Sequence, residues 1–167
     1  RYYWATKDWA DTTAANGIHN GLRKIYTYLG GNTDLSLDSS NHFQVANETH
    51  LTAAVLGNPT HAREDIIQYI RGADVFDEDA DTVVSENREM ITGDVLHSQP
   101  LVVKYVYPSG EGRSMVFLGS NDGMLHAVLD EVDPDVDDDS DTIIHHGTEA
   151  WAFISPDQPP RLKDIVE

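Results

Sequence analysis

The sequence predicts a mainly β protein with a small helical segment, on three observations. Residues 99–155 hold four runs rich in β-branched and aromatic side chains, joined by turns or loops and never by a helical pattern. Between two of them stands Asn121-Asp122-Gly123, a strong short-range hairpin signal. Upstream of residue 90, two short stretches carry helical spacing in place of alternation.

In chain order, residues 1–21 mix aromatics with small polar residues without a sustained period, and read as an irregular extension. "LRKIYTYLG" (22–30) alternates, is rich in β-formers and stops at Gly30-Gly31, which predicts a strand over Leu22 to Leu29. Residues 31–46 are Ser, Asn and Asp-rich and read as loop. In "NETHLTAAVLG", Asn47 caps a predicted helix with Leu51, Ala54 and Val55 on one face and Gly57 as its left-handed stop. In "NPTHAREDIIQYIRG", Asn58 is the predicted cap and Pro59 the first helical residue, while Ile66, Ile67 and Ile70 make the apolar stripe and Gly72 ends it.

Four strands follow, over "QPLVVKYVY" (99–107), "RSMVFLGS" (113–120), "MLHAVLD" (124–130) and "EAWAFIS" (149–155). Helix-free connections make them an antiparallel meander. A meander of this size is the unit of β-propellers, in which each blade stacks its faces on the next. Trp151 is large enough to fill the wedge between blades, and one blade cannot bury both of its faces alone, so the chain is expected to be a fragment of a larger domain. The division is then 1–21 as extension, 22–92 as a strand with two helices and an acidic linker, and 93–167 as the blade and the start of the next connection.

Charge narrows the partners. The 167 residues include 29 acidic and 11 basic ones, a formal net charge of −18, so a phosphate backbone would be repelled at long range and nucleic acid is excluded. Cysteine is absent, which removes disulfides, thiolate metal sites and cysteine nucleophiles. No apolar run nears the roughly 20 residues of a membrane-spanning helix. Arg1, with no signal peptide behind it, reads as the start of a mature or truncated product.

Three stretches, in order, resemble the PilC/PilY family of type IV pilus biogenesis and tip-associated proteins: "GDVLHSQPLVV" (93–103), "VFLGSNDGMLHAV" (116–128) and "TEAWAFISP" (148–156). The residues that carry the likeness are Gly93, Asp94, His97, Ser98, Pro100, Gly119, Asn121, Asp122, Gly123, His126, Glu149, Trp151 and Phe153. "LRKIYTYLG" and "IIQYIRGADVFDEDAD" are similar to segments that precede the first blade in that family. The resemblance implies the first blade of a quinoprotein-like modified β-propeller, with residues 22–29 helping to close the ring. It implies an extracellular or cell-surface, pilus-associated, non-enzymatic protein, sometimes adhesive, whose partners are pilins or other pilus components and the remaining blades; open strand edges add further copies of itself as a partner. The calcium site of some members lies in a later blade and has no counterpart here. One departure is the long acidic insertion "EVDPDVDDDSDTIIHH" where the repeat normally has a short turn; so many carboxylates read as a solvated loop.

Each candidate site has a plain structural alternative. Asp77, Asp79 and Asp81 begin like a calcium loop, which makes Ca²⁺ the only cofactor suggested, but no Gly follows Asp81 and Arg88 stands at the twelfth position, where an EF-hand has Glu. The alternative is a solvated acidic linker. Asp133 to Asp141 read as self-repelling loop, and His145-His146 beside them as exposed. His97 and His126 could hold a metal or move a proton, but read better as structural: His97 with Ser98 and Asp94 tying the start of a strand, His126 packed with one ring nitrogen satisfied. Asp94, His97 and Ser98 are the residue types of a hydrolase triad without a nucleophile elbow. Two other functions stay open: a self-assembling extracellular subunit pairing through open strand edges, and a quinoprotein-type dehydrogenase fragment, whose quinone-holding residues one blade would not contain.

Overall fold

The computed structural model describes residues 23–28, 41–84, 86–88, 90–106, 108, 110, 112–129 and 149–166. The readings for residues 1–21, the acidic insertion and His145-His146 lie outside the described residues. Strands β2 (Leu101–Val106), β3 (Gly112–Gly119), β4 (Met124–Leu129) and β5 (Glu149–Ile154) form the antiparallel meander that alternation and turn chemistry predict. Register follows rows such as Phe117↔Ala127↔Trp151 and Leu118↔His126↔Ala152. The β3–β4 turn closes through Gly123 N–H to the Ser120 carbonyl and Ser120 N–H to the Met124 carbonyl, both 3.2 Å. Gly123 alone turns left-handed, at φ 80°, so the hairpin is a three-residue loop with a bulge and Asn121 needs no unusual backbone.

β1 is shorter than its alternation suggests, Ile25–Thr27, and pairs parallel with β5 through Ile25↔Ala152. The sheet is therefore five-stranded and mixed, in the order β1-β5-β4-β3-β2. The segment expected to close a ring extends the same sheet as the meander.

Helix α1 (Arg63–Arg71) carries Glu64 and Asp65 in its first turn and ends at Gly72, φ 109°. Its Ile66, Ile67 and Ile70 are buried with Ile25, Phe43, Leu51, Leu56, Met124, Ala152, Ile154 and Leu162. Each such aliphatic side chain contributes about 1.5–3 kcal/mol. The core thus lies on one sheet face, over β1, β5 and the start of β4. That face was expected to await other protein; over this half the chain's own helical segment covers it.

The two predicted helices are corrected. Residues 47–57 form successive turns, with Leu51 N–H on the Asn47 carbonyl and Leu56 N–H on that of Thr52. The reason is packing: Leu51 and Leu56 are both fully buried, while a helix would set residues five apart roughly 140° around its axis. Thr52 Oγ1 accepts the Val55 N–H at 3.3 Å and supports the break. α1 begins after Ala62, not at Asn58-Pro59, because Gly57 and Asn58 both take left-handed backbone (φ 79° and 53°). Arg63, its first residue, donates to the carbonyls of Leu51 (3.1 Å) and Val45 (2.9 Å), which locks helix to turns.

The acidic segment is a closed loop. Asp74 N–H bonds the Glu86 carbonyl and Arg88 N–H that of Gly72, each at 2.9 Å, so its two ends meet beside α1. Arg88 lies 3.8 Å over the Tyr69 ring, and Tyr69 donates its hydroxyl to Glu78 at 2.5 Å. Burial, then the Glu78 bond, pushes the Tyr69 phenol up to about 12. At the opposite sheet edge β2 is largely exposed: Leu101 is 60% and Val106 74% exposed, and they point to opposite faces.

Candidate functional site

Residues that carry the three motif stretches meet at the β3–β4 turn. Gly93 donates its N–H to Asp122 Oδ2 at 3.1 Å, Asn121 N–H bonds the Asp94 carbonyl at 3.1 Å, and Ser98 Oγ accepts the Gly119 N–H at 3.0 Å. Residues 93–98 are therefore a strap across the hairpin. Only glycine fits at 93, since a Cβ there would stand 2.5 Å from the Asp122 nitrogen. Asp94, His97 and Pro100 are exposed; Asp94 acts through its carbonyl, and the Ser98 hydroxyl is taken by the hairpin. Among the described residues Asp94, His97 and Ser98 share no hydrogen bond of a triad, and it is Ser98 and the Asp94 carbonyl that tie the strap.

His126 is fully buried, with both ring nitrogens engaged, one more than expected. Nδ1 lies 2.6 Å from Glu149 Oε1, and Nε2 lies 3.0 Å from Asp122 Oδ2 and 2.9 Å from Ser120 Oγ. A strand irregularity brings Glu149 there. Ala127 pairs with Trp151 but Val128 pairs with Glu149, so Ala150 is passed over and Glu149 turns to the face of His126. The other side of that carboxylate is held by Arg23, Nε to Oε2 at 2.5 Å and Nη2 to Oε1 at 2.8 Å. Arg23 Nη1 also donates to the last carbonyls of α1, Ile70 and Arg71, both at 3.3 Å.

The electrostatics follow from this geometry. Burial would raise the Glu149 carboxyl, but the Arg23 charge and bonds, then those of His126, hold it at about 2. Burial opposes ionisation of Asp122 too, and His126, Ser120 and the Gly93 N–H bring it to about 2. Burial would lower His126, but its two carboxylate partners raise it above the ordinary imidazole range. Arg71, which bonds the Phe43 and Arg23 carbonyls at 2.8 and 2.7 Å, is lowered to about 10 by burial and then by the Arg23 charge.

Ser120, His126 and Glu149 have the connectivity of a serine-hydrolase triad, yet the protons run the wrong way. Ser120 donates its hydroxyl to Asp122 Oδ1, and His126 Nε2 is itself shared with Asp122 Oδ2 at 3.0 Å. The Asp122 carboxylate thus competes with the ring for the serine proton, unlike the base–nucleophile pair of a triad. The arrangement is a buried ion network that holds strap, turn, β5 and β1 together. Sequence reading gave Arg23 and Ser120 no role; the available signal was an arginine and a glutamate beside apolar strand residues, each needing a partner once buried.

On the face away from α1, Phe117 and Trp151 pack with ring centroids 5.8 Å apart, and Phe153 is half-buried. Trp151 thus finds its neighbour within its own sheet. In the acidic loop, carboxylate oxygens of Asp77, Asp79 and Asp81 lie within 4.8 Å of one another, as do those of Asp74, Asp79 and Glu86. An oxygen-only set suits a hard cation such as Ca²⁺, which takes six to eight such ligands. These oxygens already serve the loop: Asp77 accepts the Thr82 N–H at 3.0 Å and Asp81 that of Val83 at 2.7 Å. The charge of Asp81, foremost, raises the Glu86 carboxyl.

No family model, curated protein or solved structure matches this chain.

Proposed function

We propose that the chain is a non-enzymatic surface module, the meander serving as the first blade of a quinoprotein-like modified β-propeller in a type IV pilus biogenesis or tip-associated protein. The propeller is a rigid platform and its loops make the contacts. The observation that carries this reading is the fate of the motif residues. Gly93, Asp122, His126 and Glu149 join in one bonded network around a hairpin, and Ser98 bonds the Gly119 N–H beside it. Meanwhile, among the described residues, β2 leaves Leu101, Val102, Tyr105 and Val106 exposed, as a blade awaiting its neighbour would. The test is deletion of residues 93–129 from the gene in its native host, scored by electron microscopy of surface pili and by surface labelling of the intact protein. Loss of pili with the protein found outside the cell supports the reading. Normal piliation, or a protein never exposed at the surface, ends it.

A second reading is self-assembly, favoured by β2, which among the described residues has an unpaired edge and exposed apolar residues on both faces. The net charge of −18 opposes it unless cations intervene. Light scattering that rises with calcium and falls with chelator would support it, and a monodisperse monomer under both conditions would exclude it.

A further inference from the structure

We propose that His126 is a charge latch: docking of the N-terminal β1–α1 segment onto the meander depends on an imidazolium held between Asp122 and Glu149. Donor counting carries the inference. Each ring nitrogen faces a carboxylate oxygen, at 2.6 Å for Nδ1 and 3.0 Å for Nε2, and a neutral imidazole has one N–H to give. Losing the proton therefore either sets the Nδ1 lone pair against Glu149 or takes the Nε2 proton from Asp122, and if the Ser120 hydroxyl, 2.9 Å away, turns to the bare Nε2 the carboxylate loses that donor as well. Glu149 and Asp122 are themselves kept ionised by Arg23 and by the Gly93 and Met124 N–H groups, so they do not supply the missing proton.

The groups facing this ring come from every element around it. Asp122 and Ser120 stand on the turn and Glu149 on β5; Arg23, ahead of β1, reaches the ring through Glu149, and Arg71 of α1 lies behind Arg23. Loss of the ring proton removes the positive charge that stands between two buried carboxylates, in a place where their repulsion is weakly screened. The element set free is the one that Glu149 holds through Arg23: the start of β1 and the end of α1.

The sign follows from the raised folded-state pKa of His126. The stabilisation is complete below the unfolded imidazole value of about 6.5 and is lost as pH rises from there through the folded value. Two amides report it: Ala152 N–H, bonded to the Lys24 carbonyl, and Phe43 N–H, bonded to that of Ile25. Across that window their opening equilibrium, corrected for base-catalysed exchange, should rise by up to about tenfold per pH unit and then level off. Amides of the β3–β4 ladder should keep their protection. The experiment is hydrogen exchange of the whole chain from pH 5 to 10, with the His126 ring titrated by NMR in the same samples. In His126→Gln the step should vanish. If that variant does not fold, the ring titration of the unaltered protein decides. An imidazole already neutral at pH 7, or a His126 that titrates while Ala152 and Phe43 keep flat protection, overturns the proposal.

Discussion

Gly93 has the tightest surroundings of any glycine in the motif, because a methyl group there would meet backbone at 2.5 Å, whereas at Gly119 its nearest neighbour would be the Ser98 side chain at 3.6 Å. Gly93→Ala should cost about 1–3 kcal/mol by overpacking and Gly119→Ala no more than about 0.5, read from urea midpoints. Glu149 offers a sharper test. Removing its charge leaves Arg23 buried without its partner, and Glu149→Gln should cost about 3–5 kcal/mol in a thermal or urea melt. Acid should act through the same groups. Glu149 and Asp122 are both depressed to about 2, so their stabilisation is present above the ordinary carboxylate range and disappears as pH falls through it toward 2. The acid limb of a stability–pH curve should flatten in Glu149→Gln. The sequence singled out Gly93, Asp122, His126 and Glu149 as positions but did not show their roles, because a strap, a turn and a strand must first meet.

Elements were legible where their signals are local. Alternation and the Asn-Asp-Gly turn specify β2 to β5 to within two residues, since side-chain period and turn chemistry act over neighbouring positions. The helices were less so. Leu51 and Leu56 were drawn into one core by turns that no helical spacing encodes, and α1 starts where Arg63 finds two distant carbonyls. Arg63→Met should therefore cost about 1–3 kcal/mol by leaving those carbonyls short of a donor, seen as a lowered melting temperature. Loss smaller than about 0.5 kcal/mol would assign the helix start to local propensity instead.

For the whole molecule, the balance is between a strongly acidic surface and one apolar core. Closure of residues 74–86 onto α1 brings carboxylates together that simple chain repulsion would separate. A hard cation relieves that repulsion, so adding millimolar Ca²⁺ should raise the melting temperature and chelator should reverse it. Asp79 belongs to both carboxylate groups. Asp79→Asn should then weaken the calcium effect more than Asp77→Asn does, as measured by calorimetric titration; equal losses would mean diffuse screening and no common locus. The same scale explains why, among the described residues, the core covers half of one sheet face. α1 and the turns are long enough to shield β1, β5 and the start of β4, and the β2 side chains stay exposed.

The sequence by itself determined the meander, its hairpin and the acid-rich character of the chain, because pleat, turn and charge are properties of residues close together along it. Only the tertiary structure decided that β1 runs parallel beside β5 and that a skipped residue, Ala150, turns Glu149 toward His126 and Arg23. Those partners come from opposite halves of the chain, and an ion network exists only once sheet order has brought them within bonding distance.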